Sequence, residues 1–305
     1  MYLYGPRFGS RYRMHNVIPS KAEGSRHGNF KATLRDSSAS PGMTVFDLRH
    51  EDCQRGMKQL PPNSIDLAVT SPPYNLGVRY SRFSDNAERA AYLRWCKRWA
   101  AQIARLLKPD GSFFLNVGAA PSNPMFPHEL LLQLRELFVL QNTIHWIKSI
   151  SIEEPGGAFI SRGHFKPISS GRYLNDCHEF IFHLTRNGKT PIERLALGVP
   201  YADKSNIARW AHTCGDDRRC RGNTWFIPYP TIQRREKERP HPATFPIELA
   251  ENCIRLHGIA RVKMMLDPFL GIGNSAVAAQ RCGVPKFIGF EIDENYLKEA
   301  KRRLK

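Results

Sequence analysis

Ser64-Ile65-Asp66-Leu67-Ala68-Val69-Thr70-Ser71-Pro72-Pro73-Tyr74-Asn75 is the stretch on which the fold turns. Its first half is an apolar run with one early acid, the pattern of a parallel strand buried on both faces. Its second half is a loop at that strand's end. Each proline ring fixes φ at about −65° and removes an N–H, so the carbonyls around the pair point outward without an internal partner. A free carbonyl beside the Ser71 hydroxyl offers two acceptors to one NH2 group, and Tyr74 adds an aromatic face. Those groups at one strand terminus suit a flat, amine-bearing base. The plain alternative is a strand exit that happens to end in two prolines.

Outward from this stretch the chain alternates. Val45 to Leu48 reads as a strand and Asp52 to Leu60 as a short helix ending at Pro61-Pro62. Ala90, Leu93, Trp95, Trp99, Ile103, Leu106 and Leu107 recur at helical spacing, which predicts a helix from about Asn86 to Leu107, closed by Lys108-Pro109-Asp110-Gly111. Trp95 and Trp99, four residues apart, are expected in the core. Strands are predicted at Ser112 to Val117, Val139 to Ile147 and Glu179 to Leu184, with a helix from Glu129 to Leu137 and a solvated loop at Glu153-Glu154. After an irregular stretch, order returns as a helix (Pro246 to His257), a strand (Val262 to Leu266), a helix (Ser275 to Arg281), a strand (Lys286 to Phe290) and a helix (Glu294 to Leu304). This rhythm indicates an α/β domain with a mostly parallel sheet.

Asp267-Pro268-Phe269-Leu270-Gly271-Ile272-Gly273-Asn274-Ser275 falls between a strand and a helix, where open α/β sheets bind nucleotides. Gly271 and Gly273 permit close backbone approach and positive φ, and the N–H groups of the following helix favour a carboxylate or phosphate. Glu291 ends the next strand, where a carboxylate can take both hydroxyls of a ribose. The third glycine of the dinucleotide fingerprint is missing. An adenosine-containing cofactor is therefore favoured over a pyrophosphate one.

The 305 residues are 41% hydrophobic and 24% charged, a globular composition, and no apolar run reaches the roughly 18 residues of a membrane span. A formal charge of +17 and a pI of about 9.8 favour a polyanionic partner, with nucleic acid ahead of a membrane surface. Seven cysteines, odd in number and scattered through apolar segments, suggest a reducing cytoplasm. Residues 1–42 read as a basic flexible arm carrying Arg7, Arg11, Arg13, Lys21, Arg26, Lys31 and Arg35, without the apolar core of a secretory signal. His212, Cys214 and Cys220 invite a zinc reading, with Cys177 and His178 as further candidates. Their spacing lacks paired C-x-x-C units, so no metal is expected.

Taken together, the Ser71 to Tyr74 loop, Asp267-Pro268-Phe269, the glycine turn and Glu291 resemble the amino-methyltransferases of DNA, over about Met43 to Leu304. The resemblance implies a Rossmann-like fold using S-adenosylmethionine. The loop precedes the cofactor turn, as in the circularly permuted beta group, whose target-recognition region lies between them. That order divides the chain into a catalytic part at 43–186, a target-recognition region at 187–240 and a cofactor-binding part at 241–305. His241-Pro242-Ala243-Thr244-Phe245-Pro246 resembles the segment lying against the methionine end of the cofactor. Asp52 falls where the family acid bonds the cofactor adenine amine, although a helix N-cap would explain it equally. Adenine-modifying members often carry aspartate at the position of Ser71 and lysine at that of Phe245, so the pair resembles the cytosine-N4 branch. Asn274-Ser275 stands in place of the more usual Thr-Thr, and Ile272 in place of a small residue.

The resemblance thus implies catalytic residues Ser71, Pro72, Pro73 and Tyr74, and cofactor contacts from Asp52, Thr244, Pro246, Asp267, Phe269, Gly271, Gly273, Asn274, Ser275 and Glu291. Duplex DNA is the expected partner, with the target base flipped out. Arg218, Arg219, Arg221, Arg234, Arg235, Lys237 and Arg239 are the expected DNA contacts. A restriction endonuclease partner and a homodimer are further expectations by analogy. Adenine-N6 methylation and a non-catalytic nucleic-acid-binding relative are the competing readings.

Overall fold

The computed structural model describes residues 44–78, 80, 82–121, 123–163, 169–209, 213, 215–228 and 244–305. The basic arm at 1–42 lies outside them, as do His212, Cys214, Arg234, Arg235, Lys237, Arg239 and His241-Pro242-Ala243. The strands are β1 (Val45–His50), β2 (Ile65–Thr70), β3 (Leu107–Val117), β4 (Val139–Ile147), β5 (Ser149–Glu153), β6 (Phe159–Gly163), β7 (His178–Thr185), β8 (Thr224–Phe226), β9 (Met264–Asp267) and β10 (Lys286–Glu291). The helices are α1 (Cys53–Lys58), α2 (Arg89–Leu106), α3 (Phe126–Leu134), α4 (Ser205–Arg209), α5 (Ile247–His257), α6 (Asn274–Arg281) and α7 (Glu294–Arg303).

Eight strands form one sheet in the order β1-β10-β9-β2-β3-β7-β4-β8. Neighbours run parallel except where β7 lies antiparallel between β3 and β4. The last two strands of the chain therefore sit between the first two. That placement brings the glycine turn, late in sequence, beside the proline loop, early in sequence.

Every residue of β2 is buried, as its apolar run requires. The one acid, Asp66, is satisfied on both oxygens. Lys108 Nζ donates to Oδ1 at 2.6 Å, and the Lys263 and Met264 N–H groups donate to Oδ2 at 2.9 and 2.8 Å. The carboxylate thus stitches β2 to the start of β9. Lys108 to Gly111 does not form a separate loop after α2. The helix passes straight into β3, and the four residues bulge out between the pairs Ile65–Leu107 and Leu67–Ser112.

Helices cover both faces. One core cluster lies under α5, α6 and α7 and includes Val69, Phe114, Leu249, Ala276 and Leu297. The other lies under α1, α2 and α3 and includes Met57, Trp99, Phe113, Leu115 and Leu130. From the irregular stretch after β7, Leu197, Tyr201, Trp225 and Ile227 are buried, and Trp146 Nε1 donates to the Ile227 carbonyl at 2.8 Å. Part of that stretch is thus built into the sheet edge through β8. Glu153 ends β5 and Glu154 opens the exposed turn to β6, so the expected solvated loop is the turn of a hairpin. Among the described residues no helix is long and apolar enough to cross a membrane, and the described cysteines are all free.

Candidate active site

Four adjacent parallel strands, β1, β10, β9 and β2, present their C-terminal ends side by side, and one cavity opens there. This is where loops leaving a parallel sheet diverge and leave a crevice. Ser71, Pro72, Pro73 and Tyr74 form one wall, leaving β2. Pro268, Phe269, Leu270 and Gly271 leave β9, Glu291 and Asp293 leave β10, and Glu51 and Asp52 leave β1. Thr244, Phe245 and Asn274 complete the set drawn from the late part of the chain.

The glycine turn spends its N–H groups internally. Gly271 (φ 54°) donates to Glu291 Oε2 at 2.8 Å, and Gly273 (φ 82°) donates to the Leu270 carbonyl at 3.0 Å. The Gly271 N–H in the turn before α6 is thus taken by the protein's own carboxylate. A Cβ on Gly273 would lie 2.9 Å from Ala300 Cβ, so the turn packs directly against α7. Glu291 Oε1 accepts from the Asp293 N–H at 2.8 Å. Burial pushes the Glu291 carboxyl above the usual range, against the lowering effect of these N–H groups.

Asp267, Gly273, Ser275 and Pro246 do not line the cavity. Asp267 is 1% exposed and accepts from Thr70 Oγ1 at 2.5 Å, Ser275 Oγ at 2.5 Å and the Phe269 N–H at 3.0 Å. It therefore ties β2, the turn and α6 together beneath the site. Burial pushes its carboxyl up to about 6, opposed by the bonds from Ser275, Thr70 and Phe269. Pro246 is the N-cap residue of α5. Asn274 bridges the two late segments, its Nδ2 donating to the Phe245 carbonyl and its Oδ1 accepting from Arg303, both at 2.5 Å.

Asp52 lines the cavity and caps a helix at once. Its Oδ1 accepts from the N–H groups of Gln54 and Arg55, at 3.0 and 3.1 Å, starting α1. The proline loop is only half as open as its sequence implies. The Pro73 carbonyl accepts from Tyr92 Oη, whereas the Pro72 carbonyl takes no hydrogen bond among the described residues. Ser71 Oγ lies 2.6 Å from Tyr74 Oη, and the Tyr74 ring packs against Phe126 with centroids 6.3 Å apart.

Several residues that the sequence did not single out shape the site. Asp85, 3% exposed, accepts from the N–H groups of Asn75, Leu76 and Val78 at 2.7, 3.0 and 3.0 Å and so holds the loop beyond Tyr74. Tyr80, Phe83 and Trp95 join Phe269 as an aromatic wall, with Trp95 5.4 Å from Phe83 and 5.5 Å from Phe269 between centroids. Trp95 is thus shared between core and cavity. Asn116, alone among Phe113-Phe114-Leu115 and Val117, was the available signal for a polar group behind the loop.

Arg218, Arg219 and Arg221 lie on the segment leading into β8, the first two exposed and the third half-buried, with Val199 and Arg219 paired as a short antiparallel bridge. They do not line the cavity. Cys220 is exposed, and the described residues contain no group of three His, Cys, Asp or Glu side chains placed to hold a metal ion.

Among the described residues, the cavity walls carry four carboxylates, Glu51, Asp52, Glu291 and Asp293, against one cation, Arg82. In a chain of charge +17 this local excess of acid favours a cationic ligand and disfavours a phosphate-bearing one. Aromatic walls and carboxylates suit an adenosine carrying a sulfonium group.

Comparison with known proteins agrees with this geometry. The Type II methyltransferase M.ScaI of Streptomyces caespitosus is 29% identical over 283 residues, covering 90% of this chain and 86% of its own length. The DNA adenine methyltransferase YhdJ of Escherichia coli is 27% identical over 261 residues, covering 84% and 81%. Among solved structures, the cytosine-N4-specific PvuII DNA methyltransferase superposes with a TM-score of 0.60 at 18% identity, covering 88% of this chain and 90% of its own. The N6/N4 DNA methylase family model matches residues 65–302, and with the permuted sheet and the shared cavity already in place the chain belongs to that S-adenosylmethionine-dependent family.

Proposed function

We propose that this DNA methyltransferase modifies the exocyclic N4 amine of cytosine in duplex DNA. The observation that carries the reading is the pairing, in one cavity, of a Ser-Pro-Pro-Tyr wall with the Glu291 and Gly271 wall. Serine brings an uncharged hydroxyl to the position from which the amine is held. When bound, S-adenosylmethionine supplies an electrophilic methyl group on a sulfonium. Glu291, Asp52 and the Phe269 and Trp95 rings would hold it.

The amine of cytosine is a poor nucleophile because its lone pair is delocalised into the ring. Ser71 Oγ and the Pro72 carbonyl accept its two hydrogens, drawing the nitrogen toward tetrahedral geometry. Orientation supplies most of the rate, and the proton lost afterwards needs no strong dedicated base. A stacked base cannot reach this cavity, so the target is flipped out at a cost of a few kcal/mol, offset by stacking on Tyr74 and by backbone contacts. Residues 187–240 serve as the recognition region, with Arg218, Arg219 and Arg221 on phosphates.

Adenine-N6 methylation is the second reading, favoured by the similarity to YhdJ along most of the chain. Incubating the protein with duplex DNA and S-adenosylmethionine, digesting to nucleosides and weighing the methylated base decides between them. N4-methylcytosine is the expected product. N6-methyladenine alone would move the protein to the second reading. Cofactor binding without methylation of any DNA would restore the non-catalytic one.

A further inference from the structure

We propose that Glu179 is a positioning residue that fixes the Ser71 hydroxyl as an acceptor toward the target amine, acting through Tyr74. The proposal rests on the reading that Ser71 faces that amine. Tyr74 Oη lies 2.6 Å from Ser71 Oγ and donates to Glu179 Oε2 at 3.1 Å. Asn116 Nδ2 donates to Tyr74 Oη and to Glu179 Oε2, each at 2.8 Å, and Lys148 Nζ donates to Glu179 Oε1 at 3.2 Å. The Glu179 and Lys148 side chains are only 13% and 18% exposed. Gly118 leaves room for the assembly, since a Cβ there would lie 3.1 Å from Glu179 Cδ and 3.2 Å from Tyr74 Cε2.

The direction of each bond follows from counting hydrogens. An ionised carboxylate only accepts, and a phenol has one hydrogen. Tyr74 gives that hydrogen to Glu179, or to the Asn116 carbonyl 3.3 Å away, which also only accepts. The Asn116 amide is held with its NH2 group toward Glu179, because the opposite orientation would set Oδ1 against the carboxylate. Its buried Oδ1 has no partner among the described residues. Ser71 must therefore donate in the bond to Tyr74. Its hydrogen points inward, and its lone pairs, met from behind only by the long 3.4 Å contact of Asn116 Nδ2, face an incoming N–H.

An amide at position 179 reverses this. Lys148 retains the Oε1 oxygen, so the new hydrogen faces Tyr74 Oη, which already accepts from Asn116 and Ser71. The crowding is relieved when Tyr74 turns its hydrogen to Ser71 and Ser71 turns its own toward the amine, donor against donor. The titratable and charged groups facing Glu179 are Tyr74, Lys148 and, on and beside its own strand, His178 and Asp176.

The test is single-turnover methylation of unmethylated genomic DNA with radiolabelled S-adenosylmethionine, with cofactor affinity measured alongside. Glu179→Gln is expected to slow the reaction about 100-fold, with cofactor affinity within about twofold of wild type. Glu179→Asp should recover part of the rate. Tyr74→Phe keeps the ring but breaks the chain of bonds, so it should be slowed similarly, and adding Glu179→Gln to it should cost nothing more. A wild-type rate in Glu179→Gln, with Ser71→Ala inactive, would overturn the proposal and leave the site reading intact. A slowed Glu179→Gln whose loss adds in full to that of Tyr74→Phe would also overturn it, marking a structural role. A wild-type rate in Ser71→Ala would instead overturn the reading beneath it. If Glu179→Gln does not fold, Tyr74→Phe decides, and a wild-type rate there overturns the proposal.

Discussion

Asp267 shows how a residue can sit in a site motif and still act beneath it. Its sequence context, between a strand and a glycine turn, placed it among the cofactor contacts, yet its oxygens are taken up by Thr70, Ser275 and the Phe269 N–H. What the sequence could not convey is that a carboxylate at a strand end has two directions to face, and the neighbouring hydroxyls on β2 and α6 decide between them. The buried acid has a cost at neutral pH. Its folded value of about 6 lies above the ordinary 3.8, so its contribution is fully present below about pH 3.8 and is lost as pH rises through 6. The difference is on the order of 3 kcal/mol. Asp267→Asn removes the ionisation while keeping an acceptor. Urea unfolding of the two proteins should therefore show their stability difference moving in the variant's favour between acid and neutral pH. A difference that stays constant with pH would rule this out.

At the scale of elements, α1 links the capping of a helix to the shape of the cavity. Asp52 caps α1, and asparagine caps nearly as well, so Asp52→Asn should leave thermal stability almost unchanged. If the carboxylate also receives the cofactor amine, the same change should weaken S-adenosylmethionine binding by roughly tenfold in calorimetry, the worth of a charge-assisted bond. Cofactor affinity equal to wild type would leave Asp52 with the cap alone. Gly56 fixes the seat of α1 on the sheet, since a Cβ there would lie 2.1 Å from Phe290 Cε1. Gly56→Ala should therefore cost about 1–3 kcal/mol in urea unfolding despite its better helix propensity. Most elements were legible from apolar spacing, and the misses have local causes. The helix predicted from Glu129 begins instead at Phe126, because Pro127 is tolerated in a first turn where its missing N–H is not needed. The β5–β6 hairpin escaped notice because most of its residues face solvent and leave no apolar alternation to read.

For the molecule as a whole, the strand order was not written in any local pattern. Nothing in β7 distinguishes an antiparallel strand from a parallel one, and the insertion of β9 and β10 between β1 and β2 depends on contacts across some 200 residues of chain. One buried chain of polar groups ties β3, β4 and β7 to the late helix α5. Ser112 Oγ of β3 lies 2.9 Å from both His183 Nε2 of β7 and His257 Nδ1 of α5, and Asn142 Nδ2 of β4 lies 3.0 Å from His183 Nδ1. Donation from Asn142 to His183, from His183 to Ser112 and from Ser112 to His257 satisfies all three contacts with both imidazoles neutral. A proton on His183 sets its Nδ1–H against the Asn142 amide N–H, and one on His257 deprives the Ser112 hydrogen of its acceptor. Burial, together with the mutual repulsion of His257 on His183 and of Arg261 on His257, holds the two rings down at about 3 and about 4, below the ordinary 6.5. Their stabilising contribution is therefore complete above about pH 6.5 and is lost as pH falls through the folded values. The opposite slope from Asp267 is the smaller of the two. The wild-type urea midpoint should fall by an amount corresponding to several kcal/mol between pH 6.5 and 4, with near-ultraviolet dichroism and fluorescence falling together, because the four groups join β3, β4, β7 and α5. Replacing both histidines with glutamine should flatten that decline whatever it does to stability at neutral pH, and a decline equally steep in the double variant would assign the acid sensitivity to other groups.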